Sequence, residues 1–281
     1  MRKFFLLSII LAATISSAQA QQQDPCTQNT KLTDPVRLQK RGNAGMGTLT
    51  GTPYHYEIWC DRRGAEGVDM YWYGANQGGG AAFRAEWIKP DCFLGRIGYF
   101  WGKRDGLPYT AYKSIYCDFN YTRSENGTAG GHSYIGIYGW SINPGAEDPA
   151  RRYVEFYIVD DWYNDRQLGP RTLCPSGGCE PLGTFVVDGG TYHVYTNIRV
   201  EKPSIEGDRT FIQYFSVRQG MEQGRRQCGT ISVTEHFKKW EELDLHLGNL
   251  YDLKYLVEAG AGTGWIDLSY LSFSQEDKPR K

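Results

Sequence analysis

Residues 151–162 read Arg-Arg-Tyr-Val-Glu-Phe-Tyr-Ile-Val-Asp-Asp-Trp, and this stretch decides how the rest of the chain is read. From Tyr153 to Val159, apolar, aromatic and β-branched residues surround a single carboxylate, Glu155, so the segment is a strand. Side chains alternate along a strand, which puts Tyr153, Glu155, Tyr157 and Val159 on one face and Val154, Phe156 and Ile158 on the other. The second set is a core face. The first is a tyrosine wall with an acid in it. Burying a lone carboxylate is costly unless it is paired. Glu155 is therefore either a salt-bridged or edge-exposed glutamate, or a catalytic carboxylate whose partner lies elsewhere in the chain.

Outward from this strand the pattern repeats. Tyr54–Asp61, Val68–Tyr73, Ala81–Trp87, Leu94–Trp101, Ala111–Tyr121 and Ser133–Ser141 precede it as short strands separated by glycine-rich turns. Phe185–Val187 and Thr191–Val200 form a hairpin around Asp188-Gly189-Gly190. Thr210–Arg218, Gly229–Val233, Tyr251–Glu258 and Trp265–Phe273 complete the strand set, with a turn over Lys202–Asp208. Phe237, Trp240 and Leu243 recur at helical spacing, so Thr234–Leu243 is the one clear helix, with Thr234 placed to cap it. Many strands and one helix, without internal repeat or linker, predict a single all-β domain: a jelly-roll sandwich of two antiparallel sheets over residues 46–274. Residues 21–45 are a polar, irregular extension, 163–183 a long insertion and 275–281 a charged tail.

The first 20 residues have a basic start, a short apolar run and Ala18-Gln19-Ala20, the pattern of a secretory signal peptide. No later run is apolar enough to cross a bilayer, so export as a soluble monomer is expected, with no membrane partner. A net charge of −1 gives no basic surface for nucleic acid. Seven cysteines suit an oxidising compartment, and the odd count leaves at least one outside an intramolecular pair. Cys174 and Cys179, with four residues between them of which two are glycines, are expected to bond to each other. The cysteines and five histidines show no metal-ligand spacing, and neither a metal nor any other cofactor is expected. Asn120-Tyr121-Thr122 and Asn126-Gly127-Thr128 are glycosylation patterns, meaningful only in a glycosylating host. Twenty tyrosines and eight tryptophans supply flat surfaces on which sugar rings stack, or equally an aromatic core.

Several motifs, in order, resemble the family 11 glycoside hydrolases, which are β-jelly-roll endo-1,4-β-xylanases. They are Tyr138-Gly139-Trp140, Val154-Glu155-Phe156-Tyr157, Pro203-Ser204-Ile205-Glu206-Gly207, Gln213-Tyr214-Phe215-Ser216-Val217-Arg218, and His236-Phe237 with Trp240. The resemblance runs from about Tyr54 to Phe273 and is greatest to rumen-type members. It implies hydrolysis of xylan with retention, Glu155 as nucleophile and Glu258 as acid/base. It also implies a thumb hairpin whose tip, Pro203, Ser204 and Ile205, touches substrate. Trp59 would stack on a xylose, Tyr134, Tyr138, Tyr157 and Gln213 would line the cleft, and Arg199 would stand beside the thumb. Cys92 falls where the family carries an asparagine or aspartate that adjusts the acid/base, which implies a near-neutral optimum. A disulfide at Cys92, or a one-residue slip placing Asp91 there, is the alternative. Two further departures are Ile142, in place of a common arginine, and Ala259-Gly260-Ala261-Gly262-Thr263-Gly264, which lacks the aromatic usual beside the acid. The competing readings are a non-hydrolytic xylan-binding protein and a β-glucan hydrolase on a similar fold.

Overall fold

The structure is a computed structural model describing residues 24–28, 30–61, 67–124, 131–163, 181–220, 225–277 and 280. The expected signal peptide, the Cys174–Cys179 pair and the Asn126 pattern lie outside these residues. The strands in chain order are β1 (Val36–Arg37), β2 (Ala44–Thr48), β3 (His55–Cys60), β4 (Val68–Trp72), β5 (Phe83–Ile88), β6 (Phe93–Phe100), β7 (Ser114–Arg123), β8 (His132–Ile142), β9 (Tyr153–Tyr163), β10 (Gly183–Val187), β11 (Gly190–Ser204), β12 (Gly207–Arg218), β13 (Cys228–Ser232), β14 (Asn249–Gly260) and β15 (Thr263–Glu276). A single helical turn, α1 (Gly102–Asp105), follows β6, and a nine-residue helix, α2 (Val233–Glu241), follows β13.

The strands make two stacked sheets, ordered β1-β4-β5-β15-β7-β13 and β10-β11-β12-β9-β8-β14-β6-β3-β2. The expected jelly-roll sandwich is what forms. One pairing departs from the all-antiparallel expectation: β12 runs parallel to β9, with Gln213 opposite Glu155. The alternation read in the 151–162 stretch holds. Val154, Phe156 and Ile158 join the core between the sheets, while Tyr153, Tyr157 and Val159 join a second apolar cluster on the other face of the larger sheet. Phe237 and Trp240 of α2 pack on Phe156, with ring centroids 5.2 and 6.0 Å apart, on the core side. The larger sheet is thus supported from behind, and its opposite face is free to carry a site.

Several local expectations are corrected. The helix begins at Val233 with Ser232 at its N-cap. The Thr234 hydroxyl instead accepts from the Ile115 backbone, 2.8 Å away, tying the helix to β7. The extension at 21–45 is not wholly irregular, since β1 adds to the edge of the smaller sheet and β2 to the edge of the larger. The turn read over 202–208 is the tip of a hairpin, as the resemblance implied: β11 and β12 stay paired out to Ser204↔Gly207, with Gly207 at φ 77°, a conformation that suits glycine. The charged tail also joins the fold, with β15 reaching Glu276 and Arg280 bonded to Asp118 at 2.7 Å. Asn120 is 8% exposed and its amide donates to the Pro25 carbonyl, so it is not presented as a glycan acceptor. Cys26 and Cys228 form a disulfide, while Cys60, Cys92 and Cys117 are free thiols.

Candidate active site

A cleft of about 600 Å³ lies across the exposed face of the larger sheet. All twelve residues singled out above line it: Trp59, Cys92, Tyr134, Tyr138, Glu155, Tyr157, Arg199, Pro203, Ser204, Ile205, Gln213 and Glu258. They come from β3, β8, β9, β11, β12 and β14, from the segment leading into β6, and from the thumb turn joining β11 to β12.

Glu155 is 7% exposed on β9, an inner strand flanked by β8 and β12. That removes the edge-exposed reading. Nor is it salt-bridged, because the donors on it are uncharged. Tyr138 Oη donates to Oε1 at 2.6 Å, Tyr157 Oη to the same oxygen at 3.2 Å, and Gln213 Nε2 to Oε2 at 2.5 Å. Each donor is itself held. Trp140 Nε1 donates to Tyr138 Oη at 2.5 Å, and Asn197 Nδ2 to Gln213 Oε1 at 2.9 Å. Tyr157 stacks on Phe215 at 4.6 Å. Burial pushes the Glu155 carboxyl above its ordinary range, and the Tyr138 and Gln213 hydrogen bonds, Arg96 and Tyr157 pull it back.

Glu258 stands on β14, two strands from Glu155, with β8 between them. It pairs across to Tyr134, whose ring lies 6.4 Å from that of Tyr157. Among the described residues its Oε2 is buried without a hydrogen-bond partner, and its Oε1 receives only a long thiol contact from Cys92, at 3.8 Å. Burial and the nearby Glu155 push Glu258 up to about 8. The two carboxyls therefore differ in support: one is held by three donors, and the other is nearly bare. That difference favours an ionised Glu155 beside a protonated Glu258. Cys92 is neither disulfide-bonded nor displaced by a register slip, for Cys92 reaches Glu258 while Asp91 is exposed.

Sequence reading missed part of this wall. Arg96, Glu57 and Asp252 also line the cleft, and Lys254 is buried behind it. Part of the signal was available, since Arg96 is the one charge in the apolar strand Phe93–Phe100. Among the described residues no group of three or more His, Cys, Asp or Glu side chains is placed to hold a metal.

The fold and site define a jelly-roll protein whose aromatic cleft carries a pair of unlike carboxyls. Residues 51–269 match the Glycosyl hydrolases family 11, and the chain belongs to that family. Endo-1,4-beta-xylanase C of Fibrobacter succinogenes is 38% identical over 248 residues, covering 87% of this chain and 35% of that protein. This chain thus spans about a third of that relative. Endo-1,4-beta-xylanase A of Bacillus pumilus is 35% identical over 230 residues, covering 82% of this chain and 84% of that one. The crystal structure of wild-type ENZbleach xylanase superposes with a TM-score of 0.81 at 49% identity, covering 92% of this chain and 94% of that one.

Proposed function

We propose that the protein is an exported endo-1,4-β-xylanase that cuts internal bonds of xylan by a retaining double displacement. The observation that carries this reading is the pair of unlike carboxyls, Glu155 with three donors and Glu258 with a partnerless oxygen, in one aromatic cleft. In the first step a Glu155 oxygen attacks the anomeric carbon while Glu258 gives its proton to the departing sugar oxygen. In the second, Glu258 takes a proton from water, and that water displaces Glu155 from the sugar. Hydrogen bonds from Tyr138, Tyr157 and Gln213 make Glu155 a stable leaving group in this second step. Trp59 and the thumb tip hold the chain on either side. The Cys26–Cys228 disulfide suits an oxidising compartment outside the cell.

The test is sugar release by the purified protein from xylan, cellulose and mixed-linkage glucan, with product anomers followed by NMR. Release from xylan with β-anomers formed first is expected. Glu155→Ala should abolish turnover. Glu258→Ala should lose xylan hydrolysis but keep cleavage of aryl xylosides, whose leaving groups need no proton. Binding to xylan without release would support a binding module, and preference for glucan a glucanase. Full xylan hydrolysis by either alanine variant would sink the assignment.

A further inference from the structure

Arg96 has no task in the two steps above. It stands on the cleft face of β6, opposite Glu57 of β3 and Leu256 of β14. It is 6% exposed, and its guanidinium carbon lies 4.3 Å from the centre of the Tyr138 ring. Nη2 donates to Glu57 at 2.7 Å, whereas Nε and Nη1 are buried without hydrogen-bond partners. Idle buried donors cost free energy, so a residue kept in this state needs a reason.

The surroundings supply one. Glu57 also accepts from Lys254 Nζ at 3.2 Å, and Lys254 donates to Asp252. Asp252 accepts the Trp140 backbone N–H at 2.8 Å. Gly98 makes this arrangement possible, because a Cβ there would lie 2.6 Å from Lys254 Cα. Glu57 and Asp252 are thus both occupied by cations, while Arg96 keeps two N–H groups uncommitted. Its plane covers the ring of Tyr138, whose hydroxyl donates to Glu155. A cation on a phenol face draws electron density from the ring and sharpens the hydroxyl as a donor.

We propose that Arg96 is a positioning residue for Glu155: clamped by Glu57 against the face of Tyr138, it keeps the nucleophile ionised and the Tyr138 hydrogen bond aligned. This rests on the double-displacement reading. Bound polysaccharide expels water, and a carboxylate in a dry site tends to take up a proton unless a cation is built into the wall. The ionisable groups facing Arg96 are Glu57 on β3, Tyr138 on β8, and Tyr251, Asp252, Lys254 and Glu258 on β14, with Glu155 beyond Tyr138 and Cys92 in the segment leading into β6. Burial pushes Glu155 up, and Arg96 is a charge that opposes it.

The test follows Glu155 by NMR of protein labelled at glutamate carboxyl carbons, without substrate, beside the pH dependence of kcat/KM. Glu155→Gln assigns the resonance. Arg96→Met should raise the Glu155 titration by about one pH unit, a tenfold change in protonation, and carry the acidic limb of kcat/KM with it. Arg96→Lys should restore most of the shift, and Glu57→Gln should move it the opposite way. A purely structural Arg96 would lower the melting temperature of Arg96→Met and leave both titrations in place, which overturns the proposal. Should Arg96→Met fail to fold, an unmoved Glu155 in Glu57→Gln overturns it equally. The NMR titration needs no turnover, so a wild-type protein inactive on xylan defeats the proposed function without deciding the electrostatics.

Discussion

At the scale of single residues, the contact between Cys92 and Glu258 sets how the site answers to pH. Glu258 must carry a proton to act as an acid, and it does so below about 8. Glu155 must be ionised, which fails only on the acidic side, where burial has moved its titration above the ordinary carboxylate range. Activity should therefore form a bell with a near-neutral top. Cys92 is a neutral neighbour, because burial and Glu258 hold its thiol far above the physiological range. Cys92→Asp changes that. An ionised carboxylate there would accept the Glu258 proton as a hydrogen bond and hinder its transfer, so the active form needs both carboxyls protonated. The descending limb should then follow the introduced acid and the optimum should fall, while Asp91→Asn leaves it in place. A kcat/KM profile of the two variants checks this, and an optimum that moves only in Asp91→Asn refutes it. Glu155 was legible because the alternation of its own strand fixes the direction of its side chain, while Glu258 and Cys92 were legible only through the resemblance to the family's motifs. Arg96 was not read as part of the site, because its meaning depends on Glu57, Tyr138 and Lys254, which come from three other strands.

At the scale of elements, the thumb is the piece whose behaviour the structure adds most to. Its tip is braced internally, with Ser204 Oγ donating to the Gly207 carbonyl at 2.6 Å and accepting from the Glu206 N–H at 3.1 Å. It is also tied to the body, since the Glu206 carboxylate accepts from Lys103 of α1 and from the Tyr153 hydroxyl at the start of β9. The Lys103 and Tyr153 hydrogen bonds hold Glu206 below its ordinary range. These ties fix the height of Ile205 over the cleft. The Lys103 side chain is 53% exposed, and an exposed pair contributes at most about 1 kcal/mol, so Glu206→Gln should shift the melting temperature by less than about 4 °C. Its effect should fall on binding, raising KM for xylan by up to about fivefold with kcat little changed, and high salt should do the same to the wild type. An unchanged KM in Glu206→Gln would show that the ties do not set the thumb. The hairpin itself was legible from Pro203 to Gly207, but its ties were not, because Lys103 lies 103 residues away in sequence. The parallel pairing of β9 with β12 was equally hidden, since alternation gives a strand its faces and not its neighbour's direction.

At the scale of the whole molecule, the N-terminal segment behaves as a strap. Cys26 bonds Cys228 on β13, and the Asn120 amide and Ser269 hydroxyl donate to carbonyls of Pro25 and Gln28 on either side of it. From there the chain pairs with the edge of the smaller sheet through β1 and crosses to the edge of the larger sheet through β2. This reach was invisible in a polar, glycine-containing stretch, and seven cysteines leave their pairing open until distances are known. The bond joins positions 202 residues apart in a chain of 281, so it closes a very long loop. In the chain-entropy account, a loop of this length constrains the unfolded state by about 5 kcal/mol, and measured disulfides typically give about 2–4 kcal/mol. At about 2–4 °C per kcal/mol, Cys26→Ser with Cys228→Ser should lower the melting temperature by about 5–15 °C. Wild type in a strong reductant should melt at least that much lower, because Cys60 and Cys117 are buried core thiols with no bond to lose, while the reductant also opens the bond expected between Cys174 and Cys179. The disulfide lies on the smaller sheet, away from the cleft-lining residues, so kcat at 25 °C should be the same with and without it. A melting temperature that ignores both the substitutions and the reductant would mean that the hydrogen bonds of Asn120 and Ser269, with the pairing of β1 and β2, already fix the strap in place.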